Sequence, residues 1–145
     1  MRRLASASLL VFAAAGALAA EPSPADRAAI FEAAGFKPAG AQWIRCEEDP
    51  PTASYVPGNI ALQDLNGDGQ PEAWVRESSG FCYGATAEYV VLLRRDAATW
   101  RVLLASEGMA LPLETRRGRW PDIEVGGPSN SVVYRWDGTG YVRGP

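Results

Sequence analysis

The sequence contains no histidine, and this absence narrows its chemistry more than any other feature. Histidine is the usual general base near neutral pH and a common ligand of zinc. Ser-His-Asp triads, Cys-His pairs and histidine-based zinc sites are therefore excluded. Enzymes that work with carboxylates alone are not excluded, but the absence of histidine argues against a catalytic function. We predict that the protein is not an enzyme.

A carboxylate pair is the one catalytic arrangement left to weigh. Asp122 and Glu124 stand two residues apart on a predicted strand, so their side chains share one face. A glycosidase needs two carboxyl groups about 5 to 9.5 Å apart. Alternating acids on an exposed strand meet that spacing routinely, and the pair by itself does not indicate catalysis.

Cysteine is scarce, since Cys46 and Cys82 are the only two. In an exported chain such a pair is most simply one disulfide, with a free buried thiol or an intermolecular bridge as alternatives. Closing this loop of about 37 residues stabilises a fold by roughly 3–4 kcal/mol when counted as chain entropy. We predict an internal Cys46–Cys82 disulfide.

Long apolar runs are confined to the N-terminus. A short positive start precedes an apolar run over residues 9–18 and then small residues, with Ala17 and Ala19 at cleavage-site positions. The run is shorter than the roughly 20 residues of a membrane-spanning helix. We predict a signal peptide over residues 1–20, one β-rich domain over residues 21–145, no membrane insertion after cleavage, and a periplasmic or secreted location.

Lysine is nearly absent, and the chain is acidic. Removing Arg2 and Arg3 with the predicted signal peptide leaves 12 basic residues against 17 acidic ones, a net charge of −5. An acidic surface argues against nucleic acid and anionic membranes and favours a basic partner. We expect a monomer that binds a protein.

The rest of the chain carries mostly the pattern of β-strands. One helix is predicted over residues 25–36, with Ser23 as its N-cap, Pro24 in its first turn and Gly35 as its stop signal. A short strand is predicted over residues 41–46. From residue 59 onward the period is two, and strands are predicted near 59–63, 72–77, 86–95, 99–105, 109–114, 120–125, 131–136 and 140–143.

The stretch "AEYVVLLRR" is apolar on both faces, because five apolar residues run without interruption from Tyr89 to Leu93. That pattern is typical of a central strand covered on both sides. The next stretch, "TWRVLLA", is its predicted hairpin partner, with Trp100, Val102 and Leu104 on one face.

Together these patterns predict a mainly β fold, an antiparallel β-meander with one short N-terminal helix. Each of the five tryptophans falls in or beside a predicted strand, and buried core positions are their default interpretation. Periodicity leaves open whether the meander forms a sandwich, a small barrel or propeller-like blades.

Residues 64–72, "DLNGDGQPE", place oxygen-bearing side chains at alternate positions around glycines, as calcium loops do. The twelfth position, where an EF-hand needs a bidentate glutamate, is Val75, which excludes an EF-hand. A plain hairpin turn is the alternative, because Asn-Gly and Asp-Gly are strong turn dipeptides. We predict structural calcium, with Asp64, Asn66, Asp68, Gln70 and Glu72 as ligands.

The same stretch resembles the calcium loops of FG-GAP and integrin-type β-propeller repeats. In those repeats the loop joins two strands, and an acid at the ninth position completes the metal shell. The resemblance covers residues 59–75 and puts Glu72 at that ninth position. It implies calcium as a cofactor and a strand on each side of the loop.

Residues 78–84, "SSGFCYG", hold the second cysteine and no charge. Ser79, Gly80 and Tyr83 read S-G-x-x-Y, which resembles the motif of bacterial periplasmic lysozyme inhibitors. The chain as a whole, with "SGFCYG", "WPDIEVGG" and "YRWDGTGY", resembles small periplasmic proteins, some of which are similar to immunity proteins against lysozyme-like toxins. In the inhibitor family the loop inserts into the lysozyme cleft. The resemblance implies that Ser79 contacts the catalytic carboxylates and that Tyr83 braces the loop. A plain turn that seats the disulfide is the alternative.

Compartment, charge and motif together predict an exported protein-binding domain that inhibits a lysozyme-like muramidase. A calcium-stabilised periplasmic binding or scaffold module with no inhibitory activity is the alternative. Arg116, Arg117 and Arg119 surround a glycine and are predicted to form a solvated hairpin tip, with a partner contact as the other interpretation.

Overall fold

The structure is a computed structural model that describes residues 20–47, 55–127 and 129–145. The predicted signal peptide lies almost entirely outside the described residues. The helices are α1 (Pro24–Ala33) and α2 (Gly80–Tyr83), and the strands are β1 (Lys37–Ala39), β2 (Gln42–Ile44), β3 (Val56–Gln63), β4 (Glu72–Ser78), β5 (Glu88–Asp96), β6 (Thr99–Glu107), β7 (Met109–Arg117), β8 (Trp120–Gly127), β9 (Asn130–Trp136) and β10 (Tyr141–Arg143). None of the helices in these ranges has the length and apolar character needed to cross a membrane.

The strands form two consecutive antiparallel meanders. Strands β3 to β6 make the first four-stranded sheet in chain order, and β7 to β10 make the second four-stranded sheet. Strands β1 and β2 form a separate hairpin. The prediction of a mainly β meander with an N-terminal helix is confirmed, and across the described strands both large sheets are open rather than closed into a barrel.

The first sheet is the middle of three layers. One of its faces packs against α1 and the β1–β2 hairpin, and the other packs against the second sheet. Strand β5 contributes to both clusters, with Val91 and Leu93 on the helix side and Val90 and Leu92 between the sheets. The predicted central strand is therefore confirmed. Each fully buried aliphatic side chain of this kind contributes about 1.5–3 kcal/mol.

A bulge in the β5–β6 pair changes one predicted face. The register shifts by one residue, and Leu103 has no residue paired with it. As a result Leu104 lies between the sheets, Trp100 packs on the helix side, and Val102 is exposed. The predicted common face of these three residues is wrong, because one inserted residue reverses the alternation of side chains.

Helix α1 begins where its capping signals predict and ends earlier than expected. The Ser23 Oγ accepts a hydrogen bond from the Asp26 N–H at 3.2 Å. The helix ends at Ala33, and Gly35 follows with φ +81°, a conformation that glycine adopts without strain. The chain then turns back through Phe36, whose N–H donates to the Phe31 carbonyl at 2.9 Å.

Candidate partner-binding turn and calcium loop

Residues 79–84 leave the end of β4 as one turn of helix, α2, followed by a 3₁₀ turn over Gly84–Thr86. Ser79 is the N-cap, and its Oγ accepts a hydrogen bond from the Cys82 N–H at 3.0 Å. The Ser79 N–H donates to the Ala87 carbonyl at 2.9 Å, and this hydrogen bond joins the two ends of the segment. The segment is therefore a closed, hydrogen-bonded turn.

A fully buried glutamate, Glu77, supports this turn from below. Its carboxyl oxygens accept hydrogen bonds from the N–H groups of Arg45 and Cys46 at 2.8 and 3.0 Å. They also accept from the hydroxyl groups of Tyr55, at 2.7 Å, and Tyr83. A buried carboxyl group needs such donors to offset its lost hydration. Sequence reasoning missed Glu77, because an acid within a strand pattern gives no local sign that it is buried.

The predicted Cys46–Cys82 disulfide is present, with the two Cα atoms 6.1 Å apart. It joins α2 to the segment that follows β2. The same segment donates backbone N–H groups to Glu77, so a covalent bond and a hydrogen-bond network hold one contact together.

An aromatic stack completes the support below the turn. The Tyr83 ring stacks on the Tyr89 ring with centroids 5.6 Å apart, and the Arg45 guanidinium lies 3.9 Å from the Tyr89 centroid. Burial, together with the hydrogen bond to Glu77, raises the pKa of the Tyr83 hydroxyl. Tyr83 therefore packs under the turn as a neutral hydrogen-bond donor.

The residues of the S-G-x-x-Y motif divide between interior and surface. Ser79 is fully buried and Tyr83 is 4% exposed, whereas Gly80 lies on the surface and Phe81 is 62% exposed. The expected contact of Ser79 with a target's carboxylates is not available in this conformation, because its Oγ faces the interior, 3.6 Å from the Cys46 sulfur. Phe81, an unspecified position of the motif, is the large side chain that the turn presents.

The predicted calcium loop joins β3 to β4, as the resemblance implies. The Asp64 carboxylate accepts hydrogen bonds from the N–H groups of Gly67 and Gly69 at 2.8 and 2.9 Å. The Asn66 Oδ1 accepts from the Asp68 N–H at 2.9 Å. Gly67 and Gly69 have φ values of +69° and +86°, which favour glycine. The loop is thus bent around its own polar side chains.

The donor chemistry of this loop fits calcium. Glu72 is 2% exposed, and its Oε2 accepts from the Leu65 N–H at 2.9 Å. Burial raises the pKa of Glu72 to about 7, and the negative charges of Asp68 and Asp64 add to the rise. A carboxylate oxygen that accepts an amide N–H keeps a lone pair for a cation. Within the described ranges no three acidic, cysteine or histidine side chains already surround a common point, so the fit is one of donor types.

Two arginines of the β7–β8 hairpin dock on the loop. Arg116 donates to the Leu65 carbonyl at 3.2 Å, and Arg119 donates to the carbonyls of Asn66, at 3.0 Å, and Gly67. Both side chains are exposed, as the predicted solvated hairpin tip requires, and they also contact the chain itself. The contacts tie the loop of the first sheet to the second sheet.

The carboxylates of β8 are held by neighbouring donors. Asp122 is 6% exposed, and its Oδ2 accepts a hydrogen bond from the Thr115 hydroxyl at 2.9 Å. The same oxygen lies 3.7 Å from the Arg135 Nε. Glu124 accepts from the Ser131 hydroxyl at 2.5 Å and lines an open groove on the second sheet. The two acids therefore have separate surroundings rather than one shared cleft.

A scan against protein-family models, a search of curated proteins and a search of solved structures each found no match to this chain. Fold and site define a mainly β protein in which two packed meanders carry a disulfide-braced surface turn.

Proposed function

We propose that this protein is an exported protein-binding domain that inhibits a lysozyme-like peptidoglycan hydrolase through the outer face of the 79–84 turn. The observation that carries the proposal is Phe81, which is 62% exposed on a turn braced from inside by Glu77 and the Cys46–Cys82 disulfide. A rigid turn loses little conformational entropy on binding. An aromatic side chain on such a base is a typical anchor of an interface.

The class of partner is supported by motif and charge. Ser79, Gly80 and Tyr83 match the S-G-x-x-Y pattern of periplasmic lysozyme inhibitors. The excess of acidic over basic residues favours a basic enzyme and speeds its encounter. The apolar N-terminal pattern and the disulfide support a periplasmic or secreted location.

Within this proposal Ser79 is a positioning residue. Its hydroxyl caps α2 and so sets the direction in which Phe81 points. The contact with the enzyme is made by Phe81 and the adjacent backbone at Gly80.

Replacing Phe81 with aspartate should raise the concentration needed for half-inhibition at least about tenfold, which corresponds to about 1.4 kcal/mol of binding free energy. The side chain is exposed, so folding should be unaffected. The measurement is the clearing of a peptidoglycan suspension by a panel of lysozymes. Val142→Asp, which changes a 46% exposed residue on β10, is the matched control and should inhibit normally.

Gly80→Arg supplies an independent check on the same turn. A Cβ at Gly80 meets no atom within 4 Å, so the folded chain tolerates a side chain there. The arginine would clash with an approaching enzyme, and inhibition should therefore weaken.

Ser79→Ala removes the cap of α2 instead and should lower the free energy of unfolding by about 0.5–2 kcal/mol. Full inhibition by both Phe81→Asp and Gly80→Arg would contradict the turn as the contact surface.

We also propose calcium as a structural cofactor of the 64–72 loop. A hundredfold excess of calcium over its dissociation constant should stabilise the fold by about 2.7 kcal/mol. Thermal unfolding in calcium against EDTA measures this effect. Asp64→Ala should abolish the calcium-dependent shift, whereas Glu114→Ala, at an exposed acid on β7, should leave it intact. Equal unfolding temperatures of the wild type in calcium and in EDTA would contradict the site.

A second candidate function is a binding or scaffold module with no inhibitory activity. The docking of Arg116 and Arg119 on the loop favours it, because calcium then supports the packing of the two sheets whether or not a lysozyme binds. This alternative predicts calcium-dependent stability together with no protection of peptidoglycan against any lysozyme.

A further inference from the structure

The outer face of the second sheet carries an open groove beside the turn. Strand register puts Met109, Gly126 and Ser131 in one row across β7, β8 and β9, and Leu111 and Glu124 in the next row. Gly126 stands in the middle of its row, and the backbone of Asn130 and Ser131 fills the position that a Cβ would take, so the groove is lined there by backbone. The lining residues are Met109, Leu111, Glu124, Gly126, Gly127 and Ser131.

The apolar walls of this groove are exposed. Met109 is 63% exposed and Leu111 is 59% exposed, and with Phe81 they are the three most exposed large apolar side chains in the described ranges. Val56 follows at 47%. Exposed apolar side chains that cluster, rather than lie singly, mark interaction sites.

The groove lies close to the turn, because β8 contacts the 3₁₀ turn that follows α2. A Cβ at Gly127, which lines the groove, would lie 3.4 Å from the Thr86 methyl group. Thr86 belongs to the 3₁₀ turn that follows α2, and its hydroxyl donates to the Tyr83 carbonyl at 2.9 Å. The segment that carries Phe81 therefore lies close to the Gly127 end of the groove.

We infer that the groove and the turn form one interaction surface for a basic protein. The partner seats an apolar side chain between Met109 and Leu111 and places a lysine or arginine against Glu124. This inference rests on the proposed function and extends it, because it adds a second contact area to the same muramidase complex.

Charge complementarity selects the partner. Glu124 is the one charged residue among the described residues that line the groove. Its carboxylate accepts one hydrogen bond from Ser131 and keeps oxygen lone pairs for a cationic side chain. An acidic or purely apolar partner would leave that carboxylate desolvated without compensation.

The test is calorimetric titration of lysozymes from the same panel into the calcium-loaded protein. A Met109→Asp/Leu111→Asp variant should bind at least about tenfold more weakly. Glu124→Gln should bind several-fold more weakly, with the difference shrinking at high salt. Val102→Asp, a 40% exposed residue on β6, is the matched control and should bind like the wild type.

Thermal unfolding shows whether each variant is folded, and Met109→Ser/Leu111→Ser replaces the aspartate variant if that one is not. Unchanged binding by a folded groove variant, while Phe81→Asp abolishes binding, would overturn the groove and leave the turn as the interface. Loss of binding in both sets supports one continuous surface. No binding of any lysozyme by the wild type would overturn the inference together with the proposed function.

Discussion

Replacing Glu77 with alanine should lower the free energy of unfolding by about 3–5 kcal/mol, the largest effect that we expect from one substitution. The carboxyl group has no exposed surface, and it accepts hydrogen bonds from Arg45, Cys46, Tyr55 and Tyr83. Alanine would remove this acceptor from four donors, of which the Cys46 N–H and the Tyr83 hydroxyl are buried. Each buried donor left unsatisfied costs about 1–3 kcal/mol.

Urea unfolding followed by tryptophan fluorescence measures this loss. The stability of Glu77→Gln should lie between those of the wild type and Glu77→Ala. The amide keeps one acceptor oxygen, but its NH₂ group replaces the second one and faces groups that also donate. Glu107→Ala removes an exposed acid and should change stability by no more than about 0.5 kcal/mol. A loss for Glu77→Ala as small as that of Glu107→Ala would show that the network does not stabilise the fold.

Removing the disulfide is the second large effect. The Cys46→Ala/Cys82→Ala variant should lose about 3–4 kcal/mol of unfolding free energy, because the bridge closes a long loop and restricts the unfolded chain. The two cysteines are 36 positions apart. Urea unfolding again gives the loss. Dithiothreitol should destabilise the wild type by a similar amount and leave the cysteine-free variant unchanged, which controls for other effects of the reductant.

The disulfide and Glu77 should act as one unit. Both hold the segment around Cys46, one by its sulfur and one by its N–H. A double-mutant cycle should therefore give a coupling of about 0.5–3 kcal/mol between them. Strict additivity would mean that the bridge and the network stabilise separate parts of the chain.

Inhibition by the cysteine-free variant, measured at a temperature where that variant stays folded, would show how far the bridge orders the turn itself.

Local patterns in the sequence anticipated much of the fold. The Ser23 cap, the Gly35 stop and most strands were predictable, because capping and period-two alternation depend on neighbouring residues. Strand β1 was missed, since three residues that include a proline give too short a pattern. The bulge at Leu103 was missed because an inserted residue is visible only against the partner strand.

The sites divide in the same way. The sequence by itself determined the cysteine pair, the oxygen spacing of the 64–72 loop and the position of the 78–84 turn between two strands. Only the tertiary structure decided that Ser79 faces inward, that Phe81 faces outward and that Arg119 binds the loop.

The physical reason for this division is the distance along the chain over which the deciding interactions act. Burial of Ser79 depends on the Cys46 segment packing beneath it, and Arg119 reaches a carbonyl 53 positions away in the chain. Such contacts follow from how the two sheets stack and where the disulfide closes. A local period specifies neither, because it sets which side chains share a face and not what that face meets.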